Sequence, residues 1–255
     1  MLKMWHPKGM RITTSSPGFT ALPPRAGASS QELKAMDAPG ELQTVLFGSQ
    51  LPKIVDAGSY PQLAEQLAWL RRHKTKLAAF VGDQDSDYDV ALAEGLAACI
   101  DRNGTIYIGV ALLALATPEL MLGVLAHEVG HRPKTWQSYR RKEPFTRAEL
   151  LQMARDEEAK ADRVAGRAIA EFQITPDDLC EFLRVHGNFE KPPENYYPVA
   201  VRIAMIRQAF ASGQARGNAA KKLFPQFEKE TSARNLIHTG EDPLPRNKRR
   251  LIRSV

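Results

Sequence analysis

Residues 118–131, Pro-Glu-Leu-Met-Leu-Gly-Val-Leu-Ala-His-Glu-Val-Gly-His, constrain the fold more than any other part of the chain. Thr117 suits a helix N-cap, Pro118 the first helical position and Glu119 the positive helix end. The helix should run to about His131 and stop before Pro133. Leu122, Val124, Leu125, Ala126 and Val129 make it apolar enough to be buried. Two imidazoles and a carboxylate carried into a core need partners, so the rest of the fold has to supply them.

His127-Glu128-Val129-Gly130-His131 is an H-E-x-x-H segment. Positions i and i+4 differ by about 40° around a helix, so both imidazoles leave one face and can bind one zinc ion. Glu128, one residue along, is placed to act as base toward a water at that ion. A structural zinc site is closed by four protein ligands, whereas a catalytic one has three and an open position. The third ligand should come from a second helix. Thr146-Arg147-Ala148-Glu149 is a capping box, and a long helix should follow to about Phe172. It carries Glu158 and Asp162 at i and i+4, on one face, while Ala159, Ala161 and Ala165 keep it slim for close packing. Glu158 is the expected third ligand. Asp162 is expected to accept a hydrogen bond from the outer nitrogen of one ligand histidine and so fix its orientation. The donor set suits zinc, although it could also hold other divalent ions.

The remaining sequence reads as a soluble α+β protein. The 255 residues suffice for one domain with tails, and a net charge of +6 permits a nucleic-acid partner without requiring one. Cys99 and Cys180 sit in apolar contexts and read as reduced core residues. Residues 1–32, rich in turn residues, are expected to be disordered. The domain should span residues 33–213, and residues 214–255 form a polar, basic tail. No signal or lipid site is evident, and Pro118 and Glu119 interrupt the long apolar stretch over 104–126, so no transmembrane span is expected and a cytoplasmic location is.

Between these limits, residues 61–74 read as an amphipathic helix with Leu63, Leu67, Trp69 and Leu70 on its apolar stripe. Residues 76–81 read as a strand and residues 82–89 as a plain acidic surface loop, lacking the glycine and glutamate spacing of an EF-hand. Asn103-Gly104 between two apolar runs signals a hairpin, with an edge strand over 106–108. Residues 132–142 form a basic loop. Further helices follow Pro176, ending near Gly187, and span residues 198–210. His6, His73, His186 and His238 lack partners at metal spacing and read as ordinary surface or helix-end residues.

The stretch from Asn103 to His131, with Ile-Tyr-Ile-Gly, Leu-Leu and then Pro-Glu-Leu-Met-Leu-Gly-Val-Leu-Ala-His-Glu-Val-Gly-His, resembles the M48 peptidase family, that of the heat-shock protease and the CAAX prenyl endopeptidase. Glu158-Ala159-Lys160-Ala161-Asp162 matches the family's E-x-x-A-D motif, and Tyr197-Pro198 followed by Arg202 is similar to its late His-Pro…Arg element. The resemblance covers roughly residues 55–210 and is strongest at the two metal motifs. It implies a gluzincin fold, with a small sheet beside the active-site helix and the glutamate ligand on a second helix, and it implies hydrolysis of peptide bonds. The chain departs from the family in lacking flanking transmembrane helices and in having Tyr197 where a histidine is usual. Tyr197 or Arg202 is then the expected stabiliser of the transition state.

The expected activity is therefore that of a zinc metalloendopeptidase acting on polypeptide, with Glu128 as general base and the strand at 106–108 pairing with an extended substrate. Two rival readings stand beside it. One is a regulatory or DNA-associated H-E-x-x-H protease, suggested by the basic loop and basic C-terminus. The other is a non-catalytic metal-bound interaction module, against which the intact Glu128 argues. Either tail is also a candidate to block the cleft.

Overall fold

The computed structural model describes residues 38–47, 51–139, 145–187 and 194–223. The expectations for residues 1–32, for the far C-terminal tail and for His6 and His238 lie outside the described residues. The architecture is mostly helical with one small mixed sheet. Helix α1 (Ala38–Phe47) precedes α2 (Ala64–Phe80), strands β1 (Asp89–Ala93), β2 (Ala98–Ile100) and β3 (Thr105–Gly109), and then α3 (Val110–Leu115), α4 (Pro118–His131), α5 (Arg147–Glu171), α6 (Asp177–His186) and α7 (Val199–Leu223). None of the described helices is long and apolar enough to cross a membrane.

The sheet has the order β1-β3-β2, with β1 parallel and β2 antiparallel to β3. The β2–β3 hairpin turns at Asn103-Gly104, as expected from those residues. Only Gly104 adopts a positive φ, of 88°, and a Cβ there would lie 2.0 Å from the Asp87 carbonyl oxygen. The register corrects the edge-strand expectation. Strand β3 is central and paired on both sides, so Ile106–Ile108 has no free edge to offer a substrate. Backbone bonds from residues 53–55 cover the outer side of β1. The edge strand beside α4 is β2, which has no second partner strand among the described residues. Alternation does the rest: Val90, Leu92, Ile100, Ile106 and Ile108 enter the main core, and Ala93, Cys99 and Tyr107 form a small cluster of their own.

Three more expectations are corrected. Residues 76–81 are not a strand: α2 continues through Phe80, because Lys76, Leu77, Ala78 and Ala79 are strong helix formers and Leu77 extends the buried stripe of Leu63, Leu67 and Leu70. The chain breaks only at Gly82, with φ of 77°. The last helix does not end near Phe210 but continues to Leu223, across the boundary drawn at residue 213, since a polar run of Gln, Ala, Arg and Lys still favours helix. The acidic loop is not plain surface. Asp83 is buried and accepts hydrogen bonds from Tyr88 and from Arg132 Nε at 2.9 Å, while Lys134 pairs with it at 2.8 Å. The basic residues after α4 are thus spent partly inside the protein, and Trp136 among them is fully buried against Leu42 and Leu46 of α1.

The core sits where α4 meets α2, α5 and the sheet, and α5 also packs along α7. Thr117 caps α4 by accepting from the Leu120 N–H, Thr146 and Glu149 cap α5 reciprocally, and Arg132 closes α4 in the left-handed conformation. Gly130 lets α4 and α5 touch: a Cβ there would lie 2.9 Å from both Ala161 Cα and Val164 Cβ. Cys99 and Cys180 are both buried and unbridged.

Candidate metal centre

The close approach of α4 and α5 brings His127, His131 and Glu158 together, with one ligand atom from each lying within 4.8 Å of the others. His127 Nε2 lies 3.4 Å from Glu158 Oε2, and His131 Nε2 lies 3.8 Å from Glu158 Oε1. Ligand atoms about 2 Å from one zinc ion at tetrahedral angles are about 3.3 Å apart, so these separations suit a shared ion. The imidazoles stand edge to face at 88°, directing both Nε2 atoms toward the carboxylate. The group contains three such residues among those described, as a centre with an open position requires. His131 and Glu158 have side-chain exposures of 0% and 2%, against 14% for His127, so the group opens to solvent on the His127 side.

The outer nitrogen of His127, Nδ1, lies 3.1 Å from Asp162 Oδ1. Asp162 is in turn held by Arg202, whose Nε and Nη2 donate at 2.8 and 2.9 Å to its two oxygens. Arg202 Nη2 also lies 3.1 Å from Glu158 Oε2. Its guanidinium is therefore committed to two buried carboxylates. Tyr197 lies elsewhere: its hydroxyl donates to Asp156 at 3.4 Å and accepts from Gln152 at 3.3 Å, on a more exposed part of α5. Its neighbour Tyr196 is the tyrosine at the centre, with Arg202 stacked 5.2 Å from its ring centroid. Burial first, then the charges of Glu158 and Glu128, push its phenol well above the ordinary range. Residues 194–198 are not helical, so no periodicity in the sequence distinguishes the inward tyrosine of the pair.

The charges at the centre are strongly displaced. Burial works against charge on His127, but Asp162 and Glu158 outweigh it and raise its pKa to about 10. Burial dominates at His131, lowering it to about 3. Burial also opposes ionisation of Asp162 and Glu158; Arg202 and His127 overcome it, bringing Asp162 to about 2 and holding Glu158 below its usual value. Glu128 goes the other way. Burial raises it to about 7, with His127 pulling against the rise. Its Oε2 is buried with no hydrogen-bond partner among the described residues. Two imidazoles and a carboxylate converging beside a buried carboxylate oxygen with no partner among the described residues fit a divalent ion with a proton acceptor next to it.

No protein-family model matches the chain, and a search of curated proteins returns no match.

Proposed function

We propose that the chain is a zinc-dependent metalloendopeptidase of the gluzincin type, as the resemblance to the M48 family implies. The observation that carries the reading is the convergence of His127, His131 and Glu158 beside the buried Glu128 Oε2, which has no partner among the described residues. When bound, zinc supplies Lewis acidity, polarising a peptide carbonyl and acidifying water.

The protein's own groups do the rest. Glu128, a buried carboxylate beside the ligand group, takes a proton from the attacking water and returns it to the leaving amine. Asp162 holds the His127 ring by its Nδ1, leaving Nε2 as the ligand atom. Arg202 is a positioning residue, keeping Asp162 and Glu158 ionised. The Tyr196 phenol stays protonated and is the donor for the developing oxyanion, in place of Tyr197. An extended polypeptide substrate pairs with the edge of β2 rather than with β3. The pairing of Arg132 and Lys134 with Asp83 removes part of the support for a nucleic-acid partner.

The test is cleavage of unfolded casein by the zinc-loaded protein beside Glu128→Gln prepared identically. The expected result is turnover by the wild type and a loss of about 10²-fold or more in the variant with its zinc retained. Equal turnover would remove Glu128 from the mechanism.

A further inference from the structure

On α5, Lys160, Val164, Arg167 and Glu171 form a stripe roughly 180° around the helix from Glu158 and Asp162. The stripe faces a cavity of about 610 Å³ bounded by the end of α2, the turn after α4, and α7. Among the described residues four cations line it, Arg132, Lys160, Arg167 and Arg216, against one carboxylate, Glu171. Two of the four are already engaged, Arg132 with Asp83 and Lys160 with Glu157. Arg167 and Arg216 form no hydrogen bond or ion pair among the described residues, even though Glu171 is one helical turn from Arg167. Arg167 is half-buried, and burial, then Arg216 and Arg163, all act against its charge. A half-buried cation facing like charges raises the energy of the fold, and a bound anion would relieve it. Phe80, Val81 and Val164 give the cavity an apolar wall. Its volume is that of a small-molecule site.

We propose that this cavity binds a polyphosphate group, free or carried by a nucleotide, with Arg167 and Arg216 as its principal ligands. Arg167 is half-buried and Arg216 exposed beside it; two guanidiniums with no partner among the described residues suit an anion with more than one charge, and their forked donors match phosphate oxygens. The apolar wall is available to the body of a nucleotide. Helix α5 separates the cavity from the metal centre, so the proposal stands apart from the peptidase reading.

The test is calorimetric titration of the full-length, metal-free protein at physiological salt with tripolyphosphate, ATP and adenosine. Tripolyphosphate and ATP should bind and adenosine should not. Tighter binding of ATP would identify the nucleotide as the ligand, and equal binding the free polyphosphate. The double substitution Arg167→Gln with Arg216→Gln should weaken binding by roughly tenfold or more. Glu171→Gln, which removes the one carboxylate among the described residues of the cavity, should tighten it, a gain that misfolding cannot produce. The basic residues at 246–253 remain in every variant, so an affinity unchanged by all these substitutions would place the anion on the tail and overturn the proposal. Absence of binding to the wild type would overturn it as well.

Discussion

At the scale of single residues, the candidate centre sets two buried carboxylates against two imidazoles and one shared guanidinium. Glu158 faces the imidazoles, Asp162 orients one of them, and Arg202 holds both acids. Asp162→Asn keeps the shape but loses the charge that orients His127. Zinc affinity, measured by competition with a chromogenic chelator, should fall about 10- to 100-fold; an unchanged affinity would deny Asp162 its positioning role. The sequence disclosed His127, Glu128, His131, Glu158 and Asp162 because helical spacing alone puts each on a defined face. It did not separate Tyr196 from Tyr197, since which of two adjacent residues turns inward depends on the irregular entry to α7.

At the scale of elements, α4 and α5 carry all three candidate ligands, and their separation is set at Gly130. Gly130→Ala would insert a methyl group 2.9 Å from Ala161 Cα and Val164 Cβ, forcing the helices apart. Overpacking of this kind costs about 1–3 kcal/mol, offset in part by alanine's better helix propensity. A lower urea midpoint together with weaker zinc binding is expected, and a variant as stable and as tightly metallated as the wild type would count against the contact. The capped starts of α4 and α5 were legible because Thr117-Pro118-Glu119 and Thr146-x-x-Glu149 are local signals. Helix α1 was not, since its burial rests on Trp136 and Ala154, which come from elsewhere in the chain. Residues 76–81 are hard to read for another reason: periodicity does not tell strand from helix in so short an apolar run, and the helix propensity of Lys76 to Ala79 decides it.

At the scale of the whole molecule, distant segments are clasped together by charge. Asp83, at the end of the α2 turn, binds Arg132 and Lys134 just beyond α4, the helix that carries the two candidate ligand histidines. Burial alone would raise its pKa, but hydrogen bonds from Arg132, Lys134 and Tyr88 outweigh that and hold it at about 2. An unfolded aspartate titrates near 3.9. The clasp therefore contributes on the order of 2 kcal/mol above about pH 4, and this is lost as pH falls through about 2. Asp83→Asn should be less stable than the wild type at pH 7, with the gap in urea midpoint closing as the pH is lowered from 4 to 2. A gap independent of pH would mean that packing rather than charge is responsible. No periodicity in the sequence connects residue 83 to residue 132, so an acidic loop and a basic loop read as two solvated surfaces when the buried Asp83 joins them through the part-exposed Arg132 and Lys134.

The proposed peptidase chemistry depends on His127, His131 and Glu158 forming a single metal centre. The most direct measurement is zinc content per chain after exhaustive dialysis, for the wild type and for Glu158→Ala, with X-ray absorption at the zinc edge on the wild type. The account predicts one tightly held zinc per chain with two imidazole nitrogens and carboxylate oxygen in its shell, and loss of that zinc in the variant. A wild type that retains no zinc, or a variant that holds it equally well, would contradict it.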